Sequence, residues 1–147
     1  MRVYYQDTDA GGVVFHAAYL HFFERARTEW MRSCGFAPNE LVSRYRVLFI
    51  VRKLEIAYLR PALLDDLVTV SAALEKMGHA QLTFAQQVRR DGETLVRAAV
   101  NVACVAADSL KPAAFPQPIR ASLTQDTVPA ANASTRSGQP RRHLNRV

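Results

Sequence analysis

Tyr5-Gln6-Asp7-Thr8-Asp9-Ala10-Gly11-Gly12-Val13-Val14-Phe15-His16 is the stretch on which the rest of the chain is organised. Two carboxylates, a glycine pair and a histidine fall within one short segment. Directly after it the pattern turns helical. Tyr19, Phe22, Phe23, Ala26 and Trp30 recur at i, i+3, i+4, i+7 and i+11, one broad apolar stripe from Ala18 to about Cys34. Arg25, Thr28, Glu29 and Arg32 fall largely on the opposite face, and Gly35 stands where the helix should stop. The segment therefore reads as extended chain, glycine loop and helix start. The first N–H groups of a helix have no partner within it, and the positive end of the helix dipole lies behind them. A carboxylate beside such an end is placed to attack or to activate water, while the free N–H groups hold a carbonyl oxygen. Read on residue type alone, Asp7 or Asp9 before glycine more often makes a local turn.

Outward from this stretch, residues 2–5 read as a short strand, and Pro38 to Arg44 as a short second helix. The period then changes from helical to alternating. From Phe49 to Arg60 the apolar phase is Ile50, Leu54, Ile56 and Tyr58, with Arg60-Pro61 ending the strand and Leu64-Asp65-Asp66 a turn. Val68, Val70, Ala72 and Leu74 share one face of the next strand, and Leu82, Phe84 and Val88 one face of the strand after it. Asp91-Gly92 signals a hairpin. Val96, Ala98, Val100, Val102 and Cys104 form the last apolar face. One long early helix followed by strands in meander gives an α+β fold, an antiparallel sheet with one face covered by the helix. Strand order does not follow from the pattern.

A chain of 147 residues suits one domain with a sizeable core. We expect it to span 1–123. From Thr124 the chain is Ala, Ser, Pro, Asn and Arg without aromatics, which predicts a disordered basic tail over 124–147. That tail carries four arginines against one aspartate, half of the net charge of +6. No apolar run approaches a membrane span, and no signal peptide precedes Arg2. Cys34 and Cys104 lie far apart and read as two reduced thiols. The sequence holds no Cys/His cluster for a metal, no phosphate loop, and no Gly-x-Ser-x-Gly for a serine hydrolase. The arginines of the tail lack interleaved aromatics, which counts against nucleic-acid binding.

The run Asp-Thr-Asp-x-x-Gly-Val-Val-x-His, followed by Ala-x-Tyr-Leu-x-Phe-Phe-Glu-x-Ala-Arg, resembles the hot-dog-fold acyl-CoA thioesterases of the 4-hydroxybenzoyl-CoA thioesterase family. Within it the resemblance is to the YbgC type, bacterial enzymes associated with the Tol–Pal envelope system. It runs from Arg2 to about Pro116 and is most specific from Tyr5 to Trp30. It implies a hot-dog fold, with the sheet wrapped around one central helix. It also implies that Asp9 is the catalytic carboxylate, as nucleophile or general base, with His16 counted beside it. The backbone N–H at His16 would polarise the thioester carbonyl. Gly11, Gly12, Val13 and Tyr19 would line the thioester, and Glu24 stands where an acidic residue meets the acyl group in an aryl-CoA relative, although it reads equally well as a solvated helix carboxylate paired with Arg27 or Thr28. Asp7 would shape the loop. Ala18 departs from the type, which often has Asn or Ser there and so a helix cap. Arg89, Arg90 and Lys111 are candidates for the CoA phosphates, with a solvated surface as the plainer reading of each. The resemblance further implies a cytoplasmic enzyme without cofactor or metal, a site between two subunits of a homodimer or homotetramer, and an acyl-CoA or acyl-carrier-protein thioester as partner. A rival reading is a non-catalytic acyl-CoA or acyl-carrier-protein binder linked to envelope assembly.

Overall fold

The computed structural model describes residues 1–125; the segment read above as a tail lies outside the described residues from 126 onward. The aromatic stripe does fold as a helix, α1, Ala18–Ser33. It buries Tyr19, Phe22, Phe23, Ala26, Trp30 and Met31. Fully burying each large apolar side chain contributes about 1.5–3 kcal/mol, so this stripe alone fixes α1 against the sheet. Trp30 meets Phe84 edge-on, with ring centroids 5.2 Å apart. A short helix, α2 (Pro38–Ser43), follows after Gly35.

Four strands come next: β1 (Val47–Tyr58), β2 (Thr69–Met77), β3 (Gln81–Arg90) and β4 (Glu93–Ala106). They form one antiparallel sheet in the order β1-β4-β3-β2. The Asp91-Gly92 hairpin joins β3 to β4, with both residues at positive φ. The inward faces of β2, β3 and β4 are those the alternation marks, and α1 packs across β2 and β3. Among the described residues the order leaves β1 at an edge, paired only with β4.

Three sequence expectations need correction. Residues 2–5 are not a strand. Arg2 makes a single bridge to Leu67, and the chain then turns into a 3-10 helix at Tyr5–Asp7. The cause is local: the Asp7 carboxylate accepts the Tyr4 N–H at 3.0 Å and bends the backbone. In β1 the apolar phase slips. A bulge between Val51 and Lys53 inserts Arg52, so Phe49 and Val51 share the inward side with Leu54, Ile56 and Tyr58, while Ile50 points outward, 41% exposed. The third concerns the loop after β4, which ends in a full helix, α3 (Gln117–Gln125), rather than a single turn.

Ile119 and Leu123 of α3 are completely buried, and Ser122 Oγ donates to Cys34 O at 3.2 Å. Helix α3 itself runs to Gln125, two residues beyond the expected domain end at 123. Truncation after Gln125 is expected to leave the melting temperature unchanged. Truncation after Pro116 removes both buried side chains, each worth about 2–5 kcal/mol, and should lower it by at least about 10 °C. Calorimetry of the two truncations checks this. Among the described residues no helix is long and apolar enough to cross a membrane.

Gln86 interrupts the apolar face of β3 and, among the described residues, is the one buried polar side chain, 1% exposed. Its Nε2 donates to Phe23 O at 3.0 Å and Ser71 O at 3.3 Å, and its Oε1 accepts from Arg27 Nη1 at 2.9 Å. Burial pushes the Arg27 guanidinium below its usual range. This network keys α1 to the sheet at one height, since a buried amide left unpaired is costly. Cys104 is buried, and that burial pushes its thiol up to about 11, whereas Cys34 is only half-buried.

Candidate active site

The loop at the start of α1 is pinned from several sides. Thr8 bridges Val14, Val13 bridges Leu63, and Val14 N donates to Ala62 O at 2.8 Å. Within the loop, Asp9 N donates to Val13 O at 3.0 Å and Gly12 N to Asp9 O at 3.1 Å. The turn needs Gly12 at φ 77°, a conformation that a side chain disfavours. Gly11 is needed for a different reason: a Cβ there would lie 3.2 Å from Asp9 Oδ1. Without one, Gly11 N donates to that oxygen at 2.8 Å.

Asp9 is therefore a turn residue with one carboxylate oxygen to spare. Oδ1 holds the loop, while Oδ2 has no hydrogen bond among the described residues. The side chain is exposed and lines a cavity of about 340 Å³ with Val13, His16, Tyr19, Tyr58 and Arg60. Helix α1 begins beside it without a side-chain cap, because its N-cap is Ala17. Phe15 N is taken by Asp7 O, and Ala18 N by Phe15 O. The N–H groups of His16 and Ala17 have no acceptor among the described residues. The His16 ring is exposed and packs on Phe15, 4.5 Å between centroids. Asp7 serves the loop through Tyr4 N and Phe15 N.

The structure brings Asp9, Val13, His16 and Tyr19 to one cavity, with Gly11 and Gly12 in the loop that forms its rim. It places Glu24 elsewhere. That carboxylate lines a second cavity of about 460 Å³ between α1, α2 and β1, together with Arg27, Met31, Leu41 and Phe49. The three cations are also dispersed. Arg90 is committed to Asp66 at 2.5 Å, which with Asp91 and Glu93 nearby holds its guanidinium above the usual range. Arg89 donates to Gly92 O and borders a shallow groove on the outer sheet face. Lys111 is exposed beyond the far end of β4, the full strand away, about 40 Å at ~3.3 Å per residue. Within one chain these three do not grip one phosphate.

Two residues at the cavity escaped the sequence reading. Tyr58 Oη donates to His16 O at 2.9 Å, and its ring stands edge-on to Tyr19 at 5.6 Å. Arg60 lines the same cavity and pairs with Glu93. Tyr58 sits in the apolar phase of β1 and so reads as core. Only its place at the strand end, beside a loop 42 positions earlier in sequence, reveals it. Tyr19 is buried, its oxygen accepts the Ala62 N–H at 3.1 Å, and burial pushes its hydroxyl up.

A long helix packed on one face of a four-stranded antiparallel sheet is the hot-dog class of fold. The thioesterase superfamily matches residues 11–97, and the chain belongs to that family of thioester hydrolases. Its relatives include the acyl-CoA thioesterase YbgC of Haemophilus influenzae, 46% identical over 123 residues, 84% of this chain and 90% of that protein. The acyl-CoA thioester hydrolase YbgC of Escherichia coli O157:H7 is 44% identical over 126 residues, 85% of this chain and 93% of that protein. Among solved structures, a probable thioesterase from Bartonella henselae superposes with a TM-score of 0.76 at 38% identity, covering 79% of this chain and 95% of that one.

Proposed function

We propose that this chain hydrolyses acyl-CoA thioesters to a free acid and CoA, with Asp9 as the reacting carboxylate. One observation carries the proposal: among the described residues, Asp9 keeps an unbonded oxygen near two N–H groups without an acceptor, at a helix start that lacks a side-chain cap. Negative charge that develops on a thioester oxygen is held best by such fixed donors. As general base, Asp9 Oδ2 takes a proton from water, and the water oxygen forms the new C–O bond. The C–S bond breaks and the proton passes to the leaving thiolate. As nucleophile, the same oxygen bonds to the acyl carbon while the C–S bond breaks and the thiolate leaves; water then opens the resulting anhydride, which releases the acid, restores the Asp9 carboxylate and supplies the proton that the thiolate takes. His16 flanks Asp9 in either course. The YbgC relatives, an acyl-CoA thioesterase and an acyl-CoA thioester hydrolase, support the same substrate class.

The working unit in this proposal is a dimer. β1 is a 12-residue edge strand with Val51, 46% exposed, and Tyr58, 49% exposed, on its helix-facing side. Such an edge favours pairing with another strand. Antiparallel pairing of two β1 strands about a two-fold axis normal to the sheet keeps both helices on one face. It also sets the Tyr58 end of one copy beside the Val47 end of the other. The Asp9 cavity of one copy then faces the Glu24 cavity of its partner. That arrangement would return Glu24 to the acyl group, as the resemblance implies, but across the interface. Gly11, Gly12, Val13 and Tyr19 line the thioester, while Arg89, Arg90 and Lys111 remain the basic groups for CoA phosphates when both copies are counted. The resemblance also supports cytoplasmic action, a link to the Tol–Pal system, and an acyl-carrier-protein thioester as a second substrate.

The test is a panel of aliphatic and aromatic acyl-CoAs assayed for released thiol, with and without a chelator. Hydrolysis of at least one member, unchanged by the chelator, is expected. Binding without release would establish the non-catalytic binder instead, and loss of rate restored by zinc would contradict catalysis by the carboxylate alone.

A further inference from the structure

We infer that Tyr58 is a positioning residue of this site, acting through the peptide unit between His16 and Ala17. The inference rests on the thioesterase reading above and extends it to a residue in the cavity wall. Tyr58 ends β1, and its ring is held edge-on against buried Tyr19 at 5.6 Å. Its hydroxyl donates to His16 O at 2.9 Å, across 42 positions in sequence. That contact is exposed, so water competes for both groups and its net stability is small. Its consequence is directional. In a planar trans peptide the C=O and the following N–H point in opposite directions. Tyr58, by holding His16 O, aims the Ala17 N–H away from itself.

Helices usually fix this turn with a Ser, Thr, Asp or Asn at the N-cap. Here the N-cap is Ala17, which has no such group, and it follows the unpaired His16 N–H. The orientation comes instead from a strand. The bond also polarises the amide: a carbonyl that accepts a hydrogen bond makes the N–H of the same peptide a stronger donor. Both effects matter where negative charge develops, and neither requires Tyr58 to touch the reacting carbon.

Tyr58→Phe keeps the ring and its contact with Tyr19 and removes only the hydroxyl. On the best substrate kcat should fall about tenfold with KM within about twofold, the pattern of an interaction made in the transition state. The melting temperature should stay unchanged. In amide NMR spectra the Ala17 resonance should shift and its order parameter fall, while resonances in α3 stay in place. An unchanged kcat, or a rise in KM alone, would overturn the inference, and so would an undisturbed Ala17 amide. The NMR readout needs no turnover. Failure of the unmodified protein to hydrolyse any acyl-CoA therefore counts against the proposed function, while the Ala17 amide still decides what Tyr58 does.

Discussion

Asp9→Asn is expected to lower acyl-CoA turnover on the order of 10²-fold or more, roughly 3 kcal/mol or above in barrier, with fold and acyl-CoA binding retained. The substitution separates the two duties of this side chain. Oδ1 accepts Gly11 N at 2.8 Å, and the Asn carbonyl oxygen can accept the same bond, so the turn from Asp9 to Gly12 survives. The other oxygen becomes an amide nitrogen, which neither attacks a thioester nor takes a proton from water. A purely structural Asp9 predicts a mild effect, because its one observed bond is conserved. Asp7→Asn is the control: Asp7 Oδ2 accepts Tyr4 N, a bond that Asn also makes, and its variant should keep nearly full rate. Circular dichroism and the binding of a non-hydrolysable acyl-CoA thioether verify that Asp9→Asn is folded.

The second large effect concerns the shared site. Thr28 lines the Glu24 cavity from α1, and Thr28→Trp would fill it. In the proposed dimer, Asp9→Asn removes the reacting group of one copy and Thr28→Trp closes the acyl cavity that its partner supplies. Each homodimer should be nearly inactive. Co-refolding the two variants in equal amounts makes hybrid dimers, in which one of the two sites combines an intact Asp9 with an open cavity. About a quarter of the unmodified activity should return, the statistical share for two-fold symmetric pairing. No recovery would mean that Asp9 and the Glu24 cavity do not work across an interface. Light scattering on the same samples must show dimers or larger species.

Much of this was legible in the chain itself, and the reasons are local. The α1 stripe is a repeat of side chains at helical spacing, and Asp91-Gly92 encodes its own turn. Asp9, Gly11 and Gly12 form their turn within four residues, so the loop can be read without the rest of the fold. The failures share a different cause. The Arg52 bulge, which turns Ile50 outward, is set by pairing with β4 rather than by the alternation of β1. Gln86 looks like a break in an apolar face until Phe23, Arg27 and Ser71 are seen around it. Residues 2–5 have the composition of a strand, and Asp7 diverts them into a 3-10 turn. Tyr58 and Arg60 join the Asp9 cavity only because β1 ends there. The separation of Arg89 and Arg90 from Lys111 follows from the length of β4, a distance the sequence does not display as such. Periodicity reports which face a residue takes; what lies opposite that face is decided by tertiary pairing.

The most direct measurement is the initial rate of thiol release from an acyl-CoA panel by the purified chain, taken beside Asp9→Asn at equal concentration. The account predicts release by the unmodified chain on at least one acyl-CoA, and a rate lower by about 10²-fold or more in the variant. Equal rates in the two proteins, or no release by either on any member, would contradict it.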